Sequence, residues 1–275
     1  MDCVLRKLVI GVGIVVVLFL VAFIGLYAGQ RSLMYFPDTS SPAAPKPDTG
    51  LREVSFRTAD GLTLRTWRAD PVAQPPGAPP KAKAVLYAPG NGGNRLGRAG
   101  IAMALAQRGY TVLLLEYRGY GGNPGEPTED GLAQDAEAAL NYLREQGFDA
   151  DHTVYVGESL GTGVVTRLAT THEPAALVLR SPYTNMVDIA SAHLFGLPAE
   201  LVKDRYDALA RIPQVTAPVT VLIGSADDVV PPQQSVQIAN AAPNLRDNVV
   251  LPGVGHNDEV WFGADMARFI DKAAQ

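Results

Sequence analysis

The sequence predicts an α/β fold: a doubly wound, mostly parallel sheet with a leading β-hairpin, preceded by one N-terminal transmembrane helix. Three observations lead there. From Ala84 onward, short apolar runs alternate with segments of helical period, the pattern of strands and crossover helices stacked in layers. Ahead of them, two strand-like runs meet at a tight turn, Asp60-Gly61. Near the N-terminus, Leu8–Ala28 runs for 21 residues without a charge.

That uncharged run, as a helix rising about 1.5 Å per residue, reaches roughly 30 Å, the thickness of a hydrocarbon core. A cleaved leader would carry a shorter apolar region and a small-x-small site, which Leu26-Tyr27-Ala28-Gly29 does not supply. Residues 1–30 therefore read as a retained signal anchor with a short cytoplasmic N-terminus. The α-amine, Arg6 and Lys7 precede the span, against Arg31 and then Lys46 after it. By the positive-inside rule this places the main domain on the extracytoplasmic side, periplasmic or lumenal, of a single-pass membrane protein.

Residues 31–50 form a membrane-proximal segment and linker. Leu33-Met34-Tyr35-Phe36-Pro37 is too apolar for a free tether and is expected to dock on the body. Ser40–Gly50, with Pro42, Pro45 and Pro47, reads as a stiff linker spanning roughly 35 Å when extended. Residues 51–275 make the main folded domain. Its hairpin is Val54–Arg57 with Leu62–Trp67, and a second Pro-rich stretch, Pro71–Pro80, is a surface loop. The runs Ala84–Ala88, Thr111–Glu116, Val154–Gly157, Leu177–Ser181, Val219–Gly224 and Val249–Leu251 suit parallel strands buried on both faces. Glu129–Gln146 repeats apolar residues at helical spacing, with Thr128 and Asp130 as capping chemistry at its start. Helices are also expected at Thr162–Thr171 and Glu259–Lys272. A short cap insert falls around 182–212, where Met186, Ile189, Leu194, Phe195, Leu197 and Leu201 either line an acyl groove or pack onto the sheet.

Composition excludes several classes. An apolar content of 47% with 19% charged residues is that of a folded chain. A net charge of −5 with singly scattered Lys and Arg leaves no cationic field for nucleic acid. Cys3 is the one cysteine, so an intramolecular disulfide and a Cys-based metal cage are both excluded. Neither glycine-rich stretch binds a nucleotide: Arg95 breaks the dinucleotide pattern after Gly90, Pro124 breaks it after Gly119, and no Gly-Lys-Ser/Thr follows.

The chemistry lies in four places. Gly157-Glu158-Ser159-Leu160-Gly161 is a G-x-S-x-G sequence directly between a strand and a helix, where a sharp turn exposes the serine at a helix N-terminus. A serine hydroxyl needs a base. Of the four histidines, His152 and His172 fall at the wrong end of the sheet and His193 in an irregular region. His256 follows the last strand in Gly253-Val254-Gly255-His256-Asn257-Asp258, at the carboxyl end where α/β sheets place their sites. The base needs a carboxylate to hold its tautomer, and Asp227 or Asp228, after Val219–Gly224, supplies it. The oxyanion of acyl transfer needs two backbone N–H donors: Leu160 gives one, and the turn Pro89-Gly90-Asn91-Gly92-Gly93-Asn94 gives the other.

With these motifs, and with Tyr117-Arg118-Gly119-Tyr120-Gly121, the chain from about Leu33 to its end resembles a small-lidded branch of the α/β-hydrolase superfamily. This is the bud-emergence-type or serine-aminopeptidase-like branch, which includes membrane-associated esterases and depalmitoylases. The resemblance implies a triad of Ser159 as nucleophile, His256 as base and Asp227 as acid, with Asn91 and Leu160 as oxyanion donors and Arg118 as an architectural residue pairing near the site entrance. The sequence departs from the branch at Pro89, where relatives usually carry histidine. The implied activity is hydrolysis of carboxylic ester or thioester bonds in small acylated or lipid-like substrates through a Ser159 acyl-enzyme, with neither metal nor cofactor. Two other readings share the fold: a serine peptidase using the same acyl chemistry, and a catalytically silent, membrane-tethered binding module.

Overall fold

The computed structural model describes residues 3–71, 83–193 and 199–275. The loop expected at Pro71–Pro80, apart from Pro71 itself, lies outside the described residues, as do Leu194, Phe195 and Leu197 of the insert.

The apolar N-terminal run forms helix α1 (Cys3–Gly29), which is long and apolar enough to cross a membrane by length and composition. Its side chains are largely exposed instead of joining the core. After a 3-10 turn, Gln30–Leu33, the chain enters a short strand β1 (Phe36–Pro37). The hairpin follows as β2 (Leu51–Arg57) and β3 (Thr63–Ala69). Then come β4 (Ala84–Ala88), β5 (Gly92–Gly93), α2 (Ala99–Ala106), β6 (Thr111–Leu114) and α3 (Glu129–Glu145). The second half runs β7 (Thr153–Glu158), α4 (Leu160–Ala169), β8 (Ala176–Arg180), α5 (Met186–His193) and α6 (Ala208–Arg211). It ends with β9 (Val219–Gly224), α7 (Pro232–Ala241), β10 (Leu245–Leu251) and α8 (Ala264–Ala273).

Eight of these strands form one sheet in the order β10-β9-β8-β7-β4-β6-β3-β2, while β1 pairs with β5 alone. The hairpin joins antiparallel, and every pairing from β6 to β10 is parallel. Strands β4, β6, β7, β8 and β9 are buried at every residue, as strands covered on both faces must be. Side chains of one strand alternate between two cores. Ala84, Leu86 and Ala88 meet residues of α3 and α4, such as Leu132, Leu140 and Val165, on one face. Val85 and Tyr87 meet Ile101 and Leu105 of α2 and Met266 and Ile270 of α8 on the other.

The helices begin and end where local chemistry dictates. Thr128 caps α3 by accepting the Gly131 N–H at 2.9 Å. The helix expected at Thr162 starts instead at Leu160, because the chain turns within the single residue Ser159. The expected helix Glu259–Lys272 is split: Glu259–Trp261 is a 3-10 turn, and Gly263, at φ 84°, interrupts the chain before α8. Strand β10 begins four residues ahead of its apolar end, since an edge strand alternates exposed and covered positions and its first half reads as polar. His193, expected in irregular chain, ends helix α5.

Ion pairs centred on two buried arginines tie the layers. Arg118 donates to Asp135 of α3 at 2.8 and 2.9 Å and to Asp60 of the hairpin turn at 2.7 Å. It is architectural, though it holds the hairpin and stands apart from the cavity that contains Ser159. Arg95 is buried, bonding Glu116 at 3.0 Å, the Gly121 carbonyl at 3.0 Å and Glu53 at 3.0 Å.

Helix α4 packs closely on β4. A Cβ placed on Gly161 would lie 2.1 Å from the Ala88 carbonyl oxygen, whereas one on Gly97 would meet nothing within 4 Å. Gly161→Ala is therefore expected to lower stability by about 1–3 kcal/mol through overpacking, read as a lower urea midpoint, with Gly97→Ala close to wild type.

Candidate active site

Ser159 stands alone between β7 and α4 at φ 50°, ψ −116°. This is a region a residue with a Cβ enters only under tertiary constraint. The constraint is visible on both sides. The Ser159 N–H donates to the Arg180 carbonyl at 2.9 Å, and its own carbonyl accepts from the Thr162 N–H at 2.9 Å and the Thr162 hydroxyl at 2.7 Å. No side chain fits at the flanking glycines: a Cβ on Gly157 would lie 2.6 Å from the Thr162 Cα. The turn delivers the Ser159 Oγ to the first turn of α4, where helix N–H groups favour developing negative charge.

The loop after β10 brings His256 over it, with Nε2 3.1 Å from the Ser159 Oγ. On its other side the His256 Nδ1 lies 2.8 Å from Asp227 Oδ2 and 3.0 Å from Oδ1. An ionised carboxylate only accepts, so Nδ1 carries the proton and Nε2 is left as acceptor for the serine hydroxyl. Burial pushes the Asp227 carboxyl up. The hydrogen bond and charge of His256, with the Val230 N–H and the Ser181 hydroxyl, outweigh it and hold the group below its ordinary value. The contacts are 2.7 Å from the Val230 N–H, 3.0 Å from the Val229 N–H and 2.7 Å from the Ser181 Oγ. Asp228, next in the chain, is exposed. Two other histidines lie elsewhere: His152 pairs with Asp151, and His172 with Glu137 and Arg144.

Sequence reasoning missed two supports. Ser181 is buried at φ 50°, just past β8, where its hydroxyl reaches Asp227; Ser-Pro after an apolar run was the available signal. Glu158, the residue before Ser159, is buried between two guanidinium groups. Arg98 binds both of its oxygens, Arg180 lies 3.1 Å from Oε1, and Tyr87 donates at 2.8 Å. Burial raises its pKa, but the Arg98 and Arg180 charges and the bonds from Arg98 and Tyr87 prevail and bring it from 4.5 to about 2. Arg180 also donates to the His256 carbonyl at 3.0 Å, and the Trp261 indole donates to the Gly255 carbonyl at 2.8 Å. The histidine loop is thus held through Glu158.

Asn91 and Leu160 border a cavity of about 360 Å³ that also contains Ser159. Among the described residues, no acceptor takes the N–H of either. The Asn91 carbonyl accepts from the Phe36 N–H at 2.9 Å and the Tyr120 hydroxyl at 2.8 Å, and its amide donates to the Met34 carbonyl at 2.7 Å. Met186 and Ile189 of the insert line the same cavity beside Val202, Val229 and Val230. Leu201 contributes its carbonyl to Gln30 instead. Leu33, Met34 and Phe36 form a further wall: the apolar segment docks on the body as its composition predicts, and the sequence left open only that it docks at this cavity.

Comparison with known proteins agrees with this architecture. Residues 83–211 match the family described as alpha/beta hydrolase fold. An uncharacterized protein of Mycobacterium tuberculosis (strain H37Rv) is 43% identical over 236 residues, covering 85% of this chain and 82% of its own length. Protein bem46 of Schizosaccharomyces pombe is 28% identical over 257 residues, 87% of this chain and 84% of that one, in line with the bud-emergence-type resemblance. The crystal structure of the Pyrococcus furiosus esterase Pf2001 superposes with a TM-score of 0.66 at 18% identity, covering 88% of this chain and 98% of that chain.

The lowered pKa of Glu158 has a consequence for acid stability. A carboxyl that titrates near 2 when folded and near 4.5 otherwise binds fewer protons in the native state. Its contribution is complete above pH 4.5 and is lost as pH falls toward 2. A shift of that size corresponds to about 3 kcal/mol. Glu158→Gln should be less stable than wild type at pH 6 and lose less stability between pH 5 and 3, as read by urea denaturation at each pH.

Proposed function

The chain belongs to the α/β-hydrolase family, and from that premise we propose that it is a membrane-anchored serine hydrolase cleaving ester or thioester bonds of acylated or lipid-like substrates. The observation that carries this reading is the hydrogen-bonded series Ser159–His256–Asp227 at the floor of an apolar cavity. The apolar lining supports an acyl group as the bound half of the substrate, since such a wall favours hydrocarbon and offers little to a charged side chain.

In the proposed reaction the His256 Nε2 takes the Ser159 proton as the Oγ adds to the acyl carbonyl. Asp227, kept ionised, stabilises the imidazolium without itself being protonated. The tetrahedral oxygen lies between the N–H groups of Asn91 and Leu160, which supply preorganised donors. Collapse breaks the bond to the leaving oxygen or sulfur, which takes the proton from His256, and an acyl-Ser159 ester remains. Water then adds by the same route, giving up its proton to His256, and the carboxylic acid is released as Oγ recovers a proton. Helix α1 would hold the domain at the bilayer, with the domain on the extracytoplasmic side as the basic residues flanking the span suggest.

Two experiments test this. A fluorophosphonate probe should label wild-type protein and fail on Ser159→Ala; absence of labelling in wild type would leave a silent binding fold. Ser159→Ala and His256→Ala should each lower turnover of a p-nitrophenyl ester by roughly 10⁴- to 10⁶-fold, without additivity in the double variant. Asp227→Asn should lose far more activity than Asp228→Asn, and the reverse ranking would reassign the acid.

A further inference from the structure

The cavity above Ser159 is closed on one side by the chain that leaves the membrane helix. Helix α1 ends at Gly29, and Gln30, the next residue, already lines the cavity. The junction is clamped. The Gln30 amide donates to the Leu201 carbonyl at 3.1 Å, its oxygen accepts the Lys203 N–H at 2.8 Å, and Arg31 forms a two-pronged pair with Asp204 at 2.8 and 3.2 Å. The Lys203 ammonium stands 4.3 Å from the Tyr27 ring centre. Tyr35 is buried, with its hydroxyl 2.9 Å from that of Tyr206. Between these fixed points Leu33 and Phe36 face the cavity yet remain 52% and 55% exposed, forming an apolar rim continuous with the helix.

Tyr27, Arg31 and Lys203 are residues suited to the headgroup level of a bilayer, and they mark where the span ends. The mouth of the cavity therefore opens at the lipid surface, at a fixed position set by the clamp. At about 360 Å³ the cavity lies at the small end of ligand sites, which favours one hydrocarbon chain over two. Resting on the serine-hydrolase reading above, we propose that the substrate is a bilayer-resident amphiphile bearing one long acyl ester or thioester. Its chain passes from the leaflet along Leu33 and Phe36 into the cavity, so these two residues set the chain-length preference.

Truncation would not test this cleanly, because Met34 and Phe36 also hold the Asn91 peptide. Point variants of the full chain, reconstituted in phosphatidylcholine vesicles, do. The readout is the ratio of kcat/KM for p-nitrophenyl palmitate to that for p-nitrophenyl butyrate. Leu33→Ser and Phe36→Ser should each lower this ratio by roughly tenfold or more. Val250→Ser, on the edge strand away from the cavity and 48% exposed, should leave the ratio unchanged. A ratio within about twofold of wild type in both rim variants, or an equal fall in Val250→Ser, would overturn the proposal. Fluorophosphonate labelling of Ser159 separates the two levels. A labelled enzyme with an unchanged ratio refutes the acyl wall alone, whereas an unlabelled protein that turns over neither ester refutes the hydrolase reading with it.

Discussion

The arrangement of this molecule depends on a backbone turn completed in one residue. Strand β7 ends at Glu158 and helix α4 begins at Leu160, so Ser159 takes φ 50°, a conformation costing on the order of 1–3 kcal/mol for a residue with a side chain. Packing supplies the compensation. Gly157 and Gly161 let α4 lie against β4 and β7 at distances no Cβ would allow, and the central strands it covers are buried throughout. A looser turn would let the serine relax into ordinary helix, and the Oγ would leave the reach of His256. The sheet and its two apolar layers act as the anvil against which the strain is held.

Two neighbouring carboxylates show how surroundings divide labour. Glu158 and Asp227 are both buried acids near the serine, and both sit below their ordinary pKa. Glu158 is neutralised by Arg98 and Arg180, so its charge is spent inside the protein; removing it would strand two buried guanidinium groups, which is strongly unfavourable. Asp227 faces one ring, His256, with backbone N–H groups and Ser181 satisfying its remaining lone pairs. Arg180 links the pair, since it binds Glu158 and also the His256 carbonyl. The residue preceding Ser159 thereby supports the loop that carries His256.

What could be read from the sequence follows from the range of the interactions involved. Strands β4, β7 and β9 were legible because burial on both faces writes itself as an uninterrupted apolar run. Ser159 and His256 were legible because each lies at a strand end with glycines around it. The choice between Asp227 and Asp228 was open from adjacency, since both follow the same strand; only the turn, with Val229 and Val230 N–H groups bonded to Asp227, separates a buried acid from an exposed one. Strand β10 was legible only in part, because an edge strand need not be apolar, and the final helix was misjudged across Gly263. Ser181 left little local trace, and the apolar run Leu33–Pro37 announced that it would dock but not where: Tyr35 meets Tyr206, and Gln30 meets Leu201, across 171 residues each. A period or a cap reports neighbours along the chain, and these contacts exist only after the sheet has closed.

The docking of that segment bears on what α1 would contribute in the proposed membrane-anchored enzyme. A free linker of the length of Ser40–Gly50 would raise the local concentration of substrate while leaving the domain to tumble, and the cavity mouth would face the lipid only part of the time. Here the helix meets the body before the linker begins, through Gln30, Arg31 and Tyr35, and the Pro-rich stretch merely returns the chain to β2. In the proposed membrane-anchored enzyme, orientation would then be fixed along with proximity, and the entropy of finding the right face would be removed in folding instead of at each encounter. The same few residues hold the Asn91 peptide through Met34 and Phe36. In the proposed enzyme, the segment that positions the domain on the bilayer is therefore also the segment that shapes the acyl wall and orients an oxyanion donor, so attachment and catalytic geometry cannot vary independently.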